Sequence, residues 1–152
     1  MYLVSGKKKS DWDRESLSIP YEIEPFCVCL AYHDRSILYD RIDKRVDIMV
    51  ENGLFEETKR LYNDGVFDSN LTAAGAIGYK ELLPAVTGDM SLSDAAELLK
   101  TATRRYAKRQ ITWFNAKPYV HMLYCDSEDG VMRDSEEIFS ELCTMWEEYK
   151  NK

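Results

Sequence analysis

The chain has 152 residues, of which 45% are hydrophobic, 12% aromatic and 31% charged, the balance of one globular domain of ordinary size and not of a disordered tail. Lys and Arg number 20 against 27 Asp and Glu, a net charge of −7 that, taken as a total, argues against nucleic acid as a partner. The apolar runs fall far short of the roughly 20 residues that cross a bilayer, and no charged-then-apolar leader opens the chain, so a cytoplasmic protein without a membrane partner is expected.

In chain order, Met1 to Val4 runs straight into Ser5-Gly6-Lys7-Lys8-Lys9, which resembles the last turn of a helix and its glycine stop. Residues 11–23 are polar, include Pro20 and have no clear period, and are read as a loop. The continuous apolar run from Phe26 to Tyr32 predicts a strand buried on both faces. It carries Cys27 and Cys29, which with Cys125 and Cys143 lack the spacing and nearby histidines of a zinc site and are read as buried free thiols.

Asp34 is placed to cap a helix from Arg35, in which Leu38, Ile42, Val46 and Met49 recur at helical spacing until Asn52-Gly53 stops it. Helices are also predicted over 54–62, broken at Asp64-Gly65, and over 79–86, ended by Thr87-Gly88-Asp89. Ser91, with Asp94 three positions later, caps a long helix over 92–115. Residues 119–125 alternate and predict a second strand, and 135–149 set Ile138, Leu142 and Met145 on one face of a last helix. Two short strands so far apart cannot form a stable sheet alone. The expected fold is therefore mostly α with two short strands, a single partial domain over 1–152 whose α/β sheet is incomplete in this chain.

Charge is distributed unevenly. Between Lys100 and Lys117 lie six bases and no acid, which leaves −13 on the remainder. At 100° per residue, Leu99, Ala102, Tyr106 and Trp113 fall on one side of the long helix and Arg104, Arg105, Lys108 and Arg109 on the opposite half. Cations so grouped repel one another unless an anion neutralises them, and a polyphosphate backbone is the usual partner at this density; the alternative is a solvated face paired with acids elsewhere in the chain. Gln110, Thr112 and Asn115 add groups able to contact sugar, phosphate or base edges. Trp113 and Phe114 suit stacking on an unpaired base, although the apolar face on which Trp113 falls equally suits a core position.

In the first long helix Arg45 lies between Leu38, Ile42 and Met49, with Arg41 one turn before it. Either these arginines pair with a carboxylate, or both guanidiniums hold a phosphate or diphosphate group. Gly75-Ala76-Ile77-Gly78-Tyr79-Lys80 is a two-glycine turn leading into a helix, whose backbone N–H groups suit an anion. His33 and His121 stand far apart, each in or beside an apolar segment, and neither is read as catalytic.

Four blocks then resemble, in order and spacing, the C-terminal half of tRNA dimethylallyltransferases (tRNA isopentenyltransferases): residues 38–49, 53–57, 76–81 and 103–114. Residues 2–7 are similar to that family's Y-x-x-[ST]-G-K, where its helical insert ends, so 1–22 correspond to the end of the insert and a loop and 23–152 to the C-terminal part of the core with the tRNA-binding helices. The resemblance implies a P-loop kinase-like fold. It also implies transfer of a dimethylallyl group from dimethylallyl diphosphate to the exocyclic amine of the adenine 3′ of the anticodon, with Mg²⁺ as cofactor and the base flipped from the anticodon stem-loop. Lys108, Arg109, Gln110, Ile111, Thr112, Trp113, Phe114 and Asn115 would contact the tRNA, with Arg104 and Arg105 on the same basic segment, and Ile77, Gly78, Tyr79 and Lys80 would form a second contact block. Arg41 and Arg45 match arginines near the diphosphate channel.

The departures concern Asn115, where many members carry arginine, Gly75, where some carry a basic or polar residue, and above all the phosphate-binding loop G-x-[ST]-x-[ST]-G-K-[ST], which does not appear. No catalytic residue or metal ligand is assigned to this chain. It is read as a C-terminal fragment that does not catalyse by itself and that self-associates through unpaired strand edges. The competing readings are a stand-alone helical RNA-binding module and a structural fragment without ligand.

Overall fold

A computed structural model describes residues 6–18 and 25–151 of the chain; the expected helix end at 1–4 and much of the expected loop at 19–23 lie outside them. Ten elements follow one another: α1 (Lys9–Ser18), β1 (Cys27–Ala31), α2 (Arg35–Glu51), α3 (Leu54–Asn63), α4 (Val66–Ser69), α5 (Leu71–Ala74), α6 (Tyr79–Thr87), α7 (Leu92–Asn115), β2 (Val120–Tyr124) and α8 (Ser135–Lys150). The expected caps operate. Asp34 accepts from the Ser36 N–H at 2.8 Å and Ser91 Oγ from the Asp94 N–H at 3.1 Å, while Gly53 and Gly88 supply the positive φ that ends α2 and α6.

Three expectations are corrected. The polar stretch after Lys8 is helical over Lys9–Ser18, because Asp11 sits in its first turn and Lys7 grips Glu15 at 2.6 Å, local electrostatics that leave no apolar period. As expected of an incomplete sheet, the two strands have only each other among the described residues and pair in parallel, from Cys27 opposite Val120 to Ala31 opposite Tyr124. β1 is not buried on both faces: Leu30 is 63% exposed whereas Ala31 and Leu123 are buried, since α7 and α8 both pack against β2. Of the four free thiols only Cys125 is buried, and Cys143 is exposed.

The core joins α2, α3, α6 and α7 through Val46, Thr58, Leu82, Ala95 and Leu99. α2 runs antiparallel along α7, as Asp47 meets Lys100 at 2.7 Å and Asp43 meets Arg104 at 2.6 Å. Beyond β2, Arg133 ties the strand to α8, donating to the Tyr124 carbonyl at 2.8 Å and pairing with Glu137 at 2.9 Å and Glu141 at 2.7 Å.

Asp126, buried just past β2, clasps the exit of β1. Its carboxylate accepts from the backbone N–H of His33 at 2.7 Å and of Asp34 at 2.9 Å. Burial pushes this carboxyl up, but the N–H donors of Asp34 and His33 outweigh it and hold the group below the ordinary aspartate range. A lowered folded value means the clasp stabilises fully above the unfolded pKa of about 3.9 and is lost as pH falls through the folded value. Thermal melting from pH 6 to pH 2.5 is expected to show an acid-sensitive component, below about pH 4, that Asp126→Asn removes; equal acid sensitivity in the two proteins would show that the clasp is not ionic.

Candidate nucleic-acid interface

The basic segment of α7 divides in two. Lys100 and Arg104 turn inward to α2: Lys100 bonds Asp47 and Glu97, which push its pKa up to about 12, and Arg104 Nη1 reaches both oxygens of Asp43 while Nη2 donates to Thr101 Oγ1 at 3.0 Å. These two cations follow the reading of a face balanced by acids elsewhere in the chain. Arg105, Lys108 and Arg109 are exposed, together with Gln110, Thr112 and Asn115, and none of the three cations has an ion-pair partner among the described residues.

Trp113 is not a core residue. It is 53% exposed and Tyr106 45%, although Leu99 and Ala95 on the same side of α7 are buried. The cause is the length of the covering helix: α6 has nine residues against the 24 of α7 and packs back from the Gly88–Ser91 turn, so its cover ends near residue 100. The C-terminal half of α7 projects beyond it. Along this uncovered side Arg109 lies over the Tyr106 ring at 5.4 Å and Lys117 over Trp113 at 4.7 Å, and Phe114 meets Trp113 edge-on at 4.9 Å. Two cation–aromatic pairs therefore follow one another on a helix face free of acids. Tyr106 and Lys117 were not singled out as contact residues from the sequence; their spacing of three or four from Arg109 and Trp113 is the signal that finds them.

Phe114 and Ile111 are half-buried and line a groove of about 250 Å³ with Leu30, Tyr32, Leu38 and Ala107. The block Ile77–Lys80 lies at the start of α6. Ile77 is 41% exposed and Lys80 exposed, but Gly78 is buried and its N–H donates to Glu81 Oε2 at 3.0 Å, so this amide of the two-glycine turn is already satisfied by the protein's own carboxylate. The Tyr79 hydroxyl donates to Glu57, which pushes its pKa up, and its ring packs on Phe67 at 5.5 Å. With a rise of about 1.5 Å per residue, Lys108 stands at least ~12 Å further along α7 than the level of Tyr79. The two blocks are thus separate patches on one helical layer.

Arg41 and Arg45 do not join the α7 face. Each is two residues from Asp43, hence about 200° round α2 from the side that meets α7, and both are exposed without an ion-pair partner among the described residues. The buried stripe of α2 centres on Val46, so Arg45 falls outside it and not between its apolar residues. Arg41 lies close enough to Tyr32, at the end of β1, to offset part of the rise that burial imposes on that phenol. His33 stacks on Tyr124 at 3.7 Å, and His121 packs beside Phe26 at 5.4 Å.

A family model described as IPP transferase matches residues 1–117. The chain belongs to this family. Among its relatives, the tRNA dimethylallyltransferase of Thermoanaerobacter sp. (strain X514) is 41% identical over 127 residues, 83% of this chain and 40% of the relative. That of Alkaliphilus oremlandii is 43% identical over 130 residues, 86% of this chain and 41% of the relative. Two solved structures share the fold: the tRNA delta(2)-isopentenylpyrophosphate transferase of Staphylococcus epidermidis, with a TM-score of 0.67 and 36% identity over 97% of this chain and 46% of that one, and the tRNA isopentenylpyrophosphate transferase of Bacillus halodurans, with a TM-score of 0.68 and 31% identity over 98% and 50%. The chain thus spans about two fifths of these curated relatives, and its mostly helical fold with two parallel strands is a partial P-loop kinase-like fold of the IPP transferase family. Among the described residues no helix is long and apolar enough to cross a membrane.

Proposed function

We propose that this chain is the tRNA-docking part of a cytoplasmic tRNA dimethylallyltransferase, whose reaction moves a dimethylallyl group from its diphosphate to the exocyclic amine of the adenine 3′ of the anticodon. The observation that carries the reading is the uncovered half of α7, where exposed Arg105, Lys108 and Arg109 stand beside the pairs Tyr106–Arg109 and Trp113–Lys117 in a member of the IPP transferase family. Cations there neutralise phosphates of the anticodon stem-loop and the aromatic faces receive unstacked bases. Ile77 and Lys80 supply a second patch, at the start of α6.

Arg41 and Arg45 form the candidate diphosphate contact. Parallel α/β sheets bind ligands beyond the carboxyl ends of their strands, and Arg41 acts on Tyr32 at that end of β1. Two guanidiniums without a carboxylate partner among the described residues suit a departing diphosphate, whose charge grows as the carbon–oxygen bond breaks. Magnesium is the family's expected cofactor, but among the described residues no three His, Cys, Asp or Glu side chains gather to hold a metal ion, so no step is assigned to it here. The phosphate-binding loop motif is absent from the 152 residues, and these residues alone are expected to bind RNA without prenylating it. The free edges of β1 and β2 make self-association a further expectation.

Titration of an anticodon stem-loop RNA, followed by fluorescence anisotropy at several salt concentrations, tests the docking role. The four outward bases of α7 and its end, Arg105, Lys108, Arg109 and Lys117, contribute about −3 to the slope of log affinity against log salt, not the roughly −4 that all six of the segment would give. Absence of salt-sensitive binding would remove the reading. Prenylation of the RNA by the 152 residues with dimethylallyl diphosphate and Mg²⁺ would show that docking is only part of what they do.

A further inference from the structure

The contact between α2 and α7 is a ladder, and its rungs change character. Asp47 faces Lys100 and Asp43 faces Arg104, at 2.7 and 2.6 Å. One turn further along α2 toward its start, where a third carboxylate would complete the series, stand Tyr39 and then Arg35. They line one notch with Lys108, Ile111 and Thr112 of α7. By the same register Tyr39 faces Lys108 and Arg35 faces Thr112, so two cations from neighbouring rungs line one notch. Arg35 and Lys108 are exposed, and neither has a carboxylate partner among the described residues. The Thr112 hydroxyl is committed to the Lys108 carbonyl at 3.0 Å, whereas the Tyr39 hydroxyl has no hydrogen-bond partner among the described residues. A guanidinium fork and an ammonium, which only donate, and a phenol free to donate thus line one notch from two helices, and the two like charges favour an anion beside them.

We propose that the mouth of this notch, whose interior of about 10 Å³ has room for no more than one phosphate oxygen, seats a single phosphate group, with Arg35 and Tyr39 of α2 completing a site that α7 alone leaves half-built. The planar guanidinium offers two parallel N–H groups to two phosphate oxygens, the ammonium a third contact, and the phenol a fourth. The inference rests on the tRNA-docking reading for the source of that phosphate, the RNA backbone; a free diphosphate carries the same chemistry, and the experiment separates the two. The consequence is that α2 takes part in docking, so the RNA bridges the same two helices that the Asp43–Arg104 and Asp47–Lys100 pairs hold together.

The test compares Arg35→Gln, Tyr39→Phe and, as a charge-matched control on α3, the exposed Lys59→Gln, in anisotropy titrations of an anticodon stem-loop RNA at several salt concentrations. Phenylglyoxal modification of Arg35, read by mass spectrometry, is followed with no addition, with RNA and with inorganic diphosphate. Arg35→Gln is expected to weaken RNA binding about tenfold and to flatten the salt slope by about 0.7, with an unchanged melting temperature because Arg35 has no ion-pair or hydrogen-bond partner to lose among the described residues. Tyr39→Phe is expected to weaken binding a few-fold at constant slope, and Lys59→Gln to change neither. RNA should shield Arg35 from the reagent. Shielding by diphosphate with unaltered RNA binding would keep the phosphate seat and assign it to the small anion. If the wild-type chain binds no RNA, the docking reading fails, and the diphosphate arm decides the notch by itself. Arg35 that reacts equally in all three conditions, in a chain whose RNA binding ignores Arg35→Gln, would overturn the proposal.

Discussion

Replacing both Lys108 and Arg109 by alanine is expected to lower the affinity for an anticodon stem-loop about 100-fold, while the melting temperature stays within a degree or two of wild type. Each exposed cation, once on a phosphate, makes a charge-assisted contact of about 1.5 kcal/mol or more, and every 1.4 kcal/mol is tenfold in affinity. Neither side chain has an ion-pair partner among the described residues that its loss would strand; Arg109 gives up only its place over Tyr106. Arg104→Ala should behave in the opposite sense. Its guanidinium holds Asp43 through both carboxylate oxygens, so truncation loosens α2 from α7 and leaves the salt slope of RNA binding almost unchanged. Anisotropy titrations and circular-dichroism melts on the two variants separate the roles. If Arg104→Ala flattened the slope as much as the loss of Lys108 or Arg109, the division of the basic segment into inward and outward halves would be wrong.

That division is not legible in the sequence. Lys100 to Lys117 reads as six equivalent bases because the acids that pair with two of them, Asp47 with Lys100 and Asp43 with Arg104, come from another helix some fifty to sixty positions upstream. Helix ends, by contrast, are written locally. Asp34, Ser91, Gly53 and Gly88 act through groups within four residues of themselves, and each sits where its type predicts. Periodicity places Leu99, Tyr106 and Trp113 on one side of α7, but it sets Arg109 on the opposite half, whereas Arg109 lies over Tyr106, and it does not show what covers a face: Trp113 is exposed because α6 is short, a fact about a neighbouring element. The short turns Val66–Ser69 and Leu71–Ala74 escape notice because four residues cannot display a period of 3.6. α1 escapes for another reason, since Lys9–Ser18 holds its turns with charge and not with an apolar stripe. The site was thus legible as a composition and a family pattern, and its working geometry only where helices meet.

Leu82→Ala should be among the most damaging truncations in the fold, costing about 3 kcal/mol, within the 2–5 kcal/mol typical of emptied leucine sites. Leu82 is 0% exposed, and α6, which carries it, packs against both α3 and α7. Among the described residues, only Leu99 and Leu123 match it as large apolar side chains with almost no exposure, so few apolar groups remain to close over the void. On the scale of about 2–4 °C per kcal/mol for a chain of this size, the melting temperature should fall by roughly 6–12 °C. Leu30→Ala, the same chemical change at a side chain 63% exposed, is expected to cost less than about 1 kcal/mol. The pair of melts tests whether the helical layer, and not the two-stranded sheet, holds the fold together. α6 also presents the Ile77–Lys80 patch, so at temperatures where the Leu82 variant has begun to melt, RNA contacts at that patch should be lost first. The outer half of α7, which α6 never covered, should still bind in a salt-dependent way. A Leu82 variant as stable as wild type, beside a destabilised Leu30 variant, would invert this order and place the weight of the fold on the sheet.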